Sequence, residues 1–127
     1  MTLPTWQSKG EYFSYQGHQI FTLEEGTGRV LLLIHSFPTA SWDWWQMWPT
    51  LSDKYRVIAL DMLGFGFSDK PRKHAYSILE QADIIEALQR NKGVEKVHLL
   101  SHDYGDTVAQ ELLARHDEGS TLNGWHK

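Results

Sequence analysis

The sequence predicts an α/β fold built on a mostly parallel sheet. Three short runs, Val30–Ile34, Arg56–Leu60 and residues 97–100, are largely apolar without regular alternation, as strands buried on both faces are. Segments with helical spacing separate these runs and follow the last of them. Such strand-helix alternation builds parallel sheets with right-handed crossovers.

Two strands are expected first, at 11–15 and 19–23, joined as a hairpin at Gln16-Gly17-His18. Gly26-Thr27-Gly28 breaks the chain before Val30–Ile34. Over 41–51, Trp42, Trp45 and Trp48 recur at helical spacing, and Pro49 is expected to bend or shorten that helix. Arg56–Leu60 then leads into the Gly-rich loop Asp61-Met62-Leu63-Gly64-Phe65-Gly66-Phe67-Ser68-Asp69, where the two aspartates are expected to hold turns. The clearest helix starts at Ser77, which forms a capping box with Glu80. Ile78, Ala82, Ile85 and Leu88 share one face of it, and Gly93 marks its end. After the strand at 97–100, Val108, Ala109, Leu112 and Leu113 define a last helix to about residue 115. Residues 116–127 have no periodicity and read as coil.

Composition narrows the class of partner. A chain of 127 residues, 41% hydrophobic and 22% charged, suits a single globular domain over 1–127. Twelve Lys and Arg against sixteen Asp and Glu give a net charge of −4, which offers nothing to nucleic acid or to an anionic membrane. With no cysteine there are neither disulfides nor thiolate metal sites. No apolar run is long enough to span a bilayer, and residues 1–10 lack a signal-peptide core. A soluble, cytoplasmic protein is expected.

The segment with the most chemical content is Ser101-His102-Asp103-Tyr104-Gly105, between the last strand and the last helix. A strand that turns directly into a helix needs small residues two before and two after the turning residue. Ser101 and Gly105 fill those places around Asp103, whereas Ser101 itself would be flanked by Leu99 and Asp103. This is the pattern of a nucleophile elbow with aspartate in place of serine. An aspartate here is also a good N-cap for the helix. Both roles fit the position. His98 and His102 have the H-x-x-x-H spacing of a zinc pair, but they straddle a strand and its turn, so no metal site is expected.

Three motifs resemble, in order and spacing, the α/β-hydrolases of the epoxide-hydrolase and haloalkane-dehalogenase group. They are His35-Ser36-Phe37-Pro38-Thr39, the Gly-rich loop continued through Lys70-Pro71, and the elbow around Asp103. Within that group, 63–71 and 99–113 are similar to one subgroup nearly residue for residue. The resemblance covers about 6–115. It implies the amino-terminal part of an α/β-hydrolase fold, with about five of eight strands, flanking helices and no cap domain. Asp103 would be a nucleophile that forms a covalent alkyl-enzyme ester. The backbone N–H groups of Phe37 and Tyr104 would form the oxyanion hole. His35, Ser36, Pro38 and His102 would support the pocket, and the bond before Pro38 would be cis. The implied substrate is a small, apolar molecule with an electrophilic carbon, and no cofactor is implied.

Aspartate suits attack at an sp³ carbon. Attack on a carboxylic ester would give a high-energy anhydride. Dehalogenases of the group grip halide with Asn at the Phe37 position and Trp at the Tyr104 position, and neither is present. Ser36 stands where the family has glycine. Two alternatives accompany the epoxide-hydrolase reading: a non-catalytic protein of the same fold, and a hydrolase of esters or thioesters. The resemblance also implies an acid and a histidine after the nucleophile, whereas the histidines that follow Asp103 are His116 and His126. The 127-residue chain is therefore expected to be inactive alone, and to self-associate through the open edge of its last strand.

Overall fold

The structure, a computed structural model, describes residues 2–35, 40–94, 96–101, 104–117 and 125–126. For Tyr104, Asp106, His116, Asp117, Trp125 and His126 the description is of the backbone. The elements in chain order are α1 (Leu3–Lys9), β1 (Glu11–Tyr15), β2 (His18–Glu25), β3 (Val30–Ile34), a 3-10 turn (Ser41–Trp44), α2 (Trp48–Lys54), β4 (Arg56–Leu60), α3 (Ile78–Asn91), β5 (Val97–Ser101), α4 (Tyr104–Asp117) and β6 (Trp125–His126). The strands form one sheet in the order β1-β2-β4-β3-β5-β6. The hairpin β1-β2 joins antiparallel to β4, while β4, β3, β5 and β6 run parallel.

The lack of alternation in β3 is explained by burial on both faces. Leu32 and Ile34 point into a core completed by Ile84, Ile85 and Leu88 of α3 and by Val108, Ala109 and Leu112 of α4. Leu31 and Leu33 point the other way, toward Trp6 of α1, Trp44 and Trp48. Side chains alternate along a strand, so five consecutive apolar residues serve two cores at once. Among the described residues no helix is long and apolar enough to cross a membrane.

Two expectations need correction, and one element has no counterpart in the sequence reading. The first ten residues contain a helix. Thr2 Oγ1 accepts from the Thr5 N–H at 3.3 Å, Pro4 sits in the first turn, and Trp6 is fully buried with its indole N–H donated to Ser41 Oγ at 3.1 Å. The Trp-rich segment is two pieces, because Pro49 starts α2 instead of bending a longer helix. Proline in a first turn forfeits no helical hydrogen bond. The stretch expected to be coil holds the end of α4 and the two-residue β6, which pairs with Val97 and His98. The outer edge of β5 carries backbone donors and acceptors that a following segment can satisfy.

Polar clamps hold the layers in place. Ser77 Oγ accepts from the Glu80 N–H at 3.0 Å and starts α3, and Gly93, at φ +67°, ends it. The Arg115 guanidinium donates to Asp83, Glu86 and Glu111 and to the carbonyl of Leu79, which ties α4 to α3. Burial alone would lower its pKa. The hydrogen bonds to the three carboxylates outweigh burial and raise it.

At the other end of α3, Glu24 of β2 accepts from Arg56 at 2.5 Å and from Lys92 at 2.7 Å. Burial alone would raise the Glu24 pKa, but these two partners outweigh it and hold the carboxyl below its ordinary 4.5. A depressed carboxyl pKa stabilises the fold above the unfolded value, and the contribution fades as pH falls through the folded one. Glu24→Gln should therefore cost on the order of 1 kcal/mol at neutral pH. In urea unfolding the gap between variant and parent should narrow steadily once the pH drops below 4.5.

Candidate active site

Register brings three strand ends to one level. Ile34, the last residue of β3, lies opposite Leu60 at the end of β4 and opposite Ser101 at the end of β5. In open parallel sheets this carboxyl edge is where ligands bind. β3 and β5 are neighbours in the sheet, and two of the motif segments, 36–39 and 102–103, follow them in the sequence. Ser36, Phe37, Pro38, His102 and Asp103 lie outside the described residues. Tyr104 is the first residue of α4, so just two residues separate the end of β5 from the helix. The N–H groups of the first turn of α4 have no partner within the helix, and the helix dipole makes that end favourable for negative charge.

Gly105 is what allows so abrupt a turn. A Cβ there would lie 2.6 Å from the carbonyl oxygens of both Ile34 and His35. The backbone of α4 thus rests directly on the end of β3. Sequence reasoning picked out Gly105 as a small flank, and the structure identifies the neighbour that demands it.

His35 is buried, and its Nε2 accepts from the Met62 N–H at 2.9 Å. Since the backbone group can only donate, the ring is the neutral tautomer with its proton on Nδ1. Asp61, just before Met62, is buried to 1% exposure. Its Oδ1 accepts from the Ser41 N–H at 2.7 Å and its Oδ2 from the Phe67 N–H at 2.8 Å. Gly66 passes so close that a Cβ would lie 2.3 Å from Oδ2. Ser68 Oγ donates to the Asp61 carbonyl and accepts from the Phe21 N–H at 2.8 Å. Asp69 accepts from the Gln19 N–H at 2.8 Å, and Gln81 brackets the backbone of Leu63 at 3.2 and 3.0 Å. The Gly-rich loop is therefore a braced platform beside the strand ends.

His98 is half-buried in β5 opposite Leu31. Trp42 stacks on Trp45 with centroids 5.4 Å apart, and it lines an open cleft of about 430 Å³ together with Trp6, Asp43 and Phe67. Sequence reasoning missed Trp6, Ser41 and Gln81 as parts of the platform. Their partners lie 18 to 35 positions away, so no local signal marks them.

The order of the strands, the level carboxyl ends and the glycine-closed turn define an α/β hydrolase core. The sequence signature of the α/β hydrolase fold family matches residues 29–119, and the chain belongs to that family. It is 54% identical over 120 residues to the mesoderm-specific transcript homolog protein of Bos taurus, covering 89% of this chain and 36% of that protein. It is 32% identical over 114 residues to a haloalkane dehalogenase of Sphingobium indicum, covering 85% of this chain and 38% of that protein. A solved structure of a Vigna radiata epoxide hydrolase variant superposes with a TM-score of 0.81 at 26% identity, over 91% of this chain and 36% of that one. The chain thus spans little more than a third of the length of these relatives. The fold and the group resemblance expected from the sequence are both borne out.

Gly105→Ala should be among the most damaging small substitutions in the chain. The added methyl must push α4 off β3, an overpacking strain of about 1–3 kcal/mol. Thermal unfolding monitored by circular dichroism should register the loss. A melting temperature equal to that of the parent would show that the helix does not rest on the strand end.

Proposed function

We propose that this chain carries the nucleophile-bearing part of an epoxide-hydrolase-like enzyme, with Asp103 as the nucleophile. The observation that carries the reading is the two-residue connection from Ser101 to Tyr104, beside the level ends of β3 and β4 and closed by Gly105. A side chain at the middle of such a turn is held out of both strand and helix. It also sits at the helix N-terminus, which favours the ionised, nucleophilic carboxylate.

The proposed chemistry has two steps. A carboxylate oxygen of Asp103 bonds to an epoxide carbon, the ring C–O bond breaks, and the alkoxide takes a proton from solvent. Water then adds to the ester carbonyl carbon. The charge that appears on the carboxyl oxygen is received by the backbone N–H groups of Phe37 and Tyr104. The diol departs and the carboxylate is restored. His35 already receives the Met62 N–H, so its role is to brace the loop, not to move protons.

The second step needs a base to take a proton from water. His116 lies twelve residues along α4 from Tyr104, about 18 Å at 1.5 Å per residue. His126 is paired with His98, near the end of β5 away from the turn. Neither backbone position reaches the turn at 103. Within these 127 residues the ester should therefore form and persist.

Incubation with styrene oxide should add the mass of one epoxide to the intact chain, and peptide mapping should put it on Asp103. Asp103→Asn should reduce the adduct to background. A parent chain that stays unmodified across a panel of small epoxides would sink the reading.

A further inference from the structure

We infer that Asp61 is a positioning residue for this site, holding in place the chain segment that carries the Phe37 N–H. The inference rests on the reading above, in which that N–H receives the charge of the second step. Two neighbouring residues at the end of β4 hold both sides of the segment. On the upstream side the Met62 N–H donates to His35 Nε2 at 2.9 Å, and on the downstream side Asp61 Oδ1 accepts from the Ser41 N–H at 2.7 Å. His35 and Ser41, which flank this segment in the sequence, are thus both held by one support.

The burial of that support is unusual for a mere turn former. Burying a carboxylate is costly unless hydrogen bonds compensate, and Asp61 is 1% exposed. Among the described residues its side-chain hydrogen bonds come from two backbone N–H groups, Ser41 and Phe67, one to each oxygen. A carboxylate offers two acceptor oxygens where a side-chain amide offers one. The position therefore calls for an acid when two different loops must be held together. Gly66, at φ +53° with no room for a Cβ beside Oδ2, keeps the space that the second oxygen occupies. Ser41 is pinned further by the indole N–H of buried Trp6.

Hydroxylamine separates positioning from stability. Its nitrogen bonds to the carbonyl carbon of the Asp103 ester, the ester C–O bond breaks, and the diol leaves with the proton, so that Asp103 becomes a hydroxamate. This step uses the oxyanion site but needs no histidine. The parent chain, Asp61→Asn and Gly66→Ala would each be alkylated with styrene oxide, and the release by hydroxylamine followed by intact mass. Arg115→Met serves as a control, because its loss weakens the α3-α4 clamp about 16 Å along α4 from Tyr104.

Whichever Asp61 or Gly66 variant folds by circular dichroism should release the alcohol at least about tenfold more slowly than the parent, since misplaced positioning groups cost rate steeply. Arg115→Met, even with a comparable loss in melting temperature, should stay within about twofold of the parent. Variants that release as fast as Arg115→Met would overturn the inference and leave Asp61 a structural residue. Failure of the parent chain itself to form an adduct would overturn both the functional reading and this inference, and it shows before any variant is compared.

Discussion

Helix α4 can begin where it does because Gly105 presents bare backbone to the carbonyls of Ile34 and His35. Most of the site geometry follows from that contact. It brings the helix N-terminus against the end of β3, and it limits the link from β5 to two residues. Since Ile34 is also level with Leu60, the same contact ties the turn at 103 to the loop that leaves β4. A side chain at 105 would loosen all of these relations together. Close backbone approach is a property that glycine alone supplies without moving its neighbours.

The second constraint is polar. The carboxyl edge of a parallel sheet leaves loops whose backbone N–H groups would be buried without partners, and each such group costs about 1–3 kcal/mol. Here Asp61, His35, Ser68 and Gln81 serve the N–H groups of Ser41, Phe67, Met62, Phe21 and Leu63. The platform is therefore held by these hydrogen bonds as well as by the burial of Met62 and Leu63. Rigidity of this kind is what a site with developing charge requires, because its dipoles must already be oriented when the charge appears.

The parts of the fold that could be read from sequence were those with local causes. β1, β3 and β4 fall where strand patterning put them, and α3 starts after Ser77 because that serine caps the Glu80 N–H three residues on, while the Glu80 carboxylate pairs with His74. Helix α1 was missed because seven residues with two large apolar side chains, Leu3 and Trp6, are too short to show a period. Its driving force is Trp6, which packs on Trp48 with centroids 5.0 Å apart, 42 positions along the chain. The division of the Trp-rich segment at Pro49 depends on which register of the helix the proline begins, and residue type does not decide that. β6 exists by pairing with an edge that sequence patterning leaves open. The candidate site was marked in the sequence by its motifs, whereas the linkage of Asp61 to Ser41 was not, because it joins loops from different strands.

The platform does not select the chemistry. Small residues at 101 and 105 and the packing of α4 on β3 would accept serine at 103 as readily as aspartate, so the reaction class turns on one side chain. A serine there acylates, and its intermediate is an ordinary ester of the substrate acid. An aspartate that attacked the same acyl carbon would make an anhydride, whereas at a strained sp³ carbon it makes an alkyl ester of comparable stability to serine's product. The burden then shifts to the second step. Water must attack a carbonyl that belongs to the protein, and the oxyanion forms on the elbow residue itself. In the proposed reaction the placing of backbone N–H groups around residue 103 thus matters more than any feature that grips the substrate, and the buried His35, Ser41 and Asp61 brace the loops at the neighbouring strand ends.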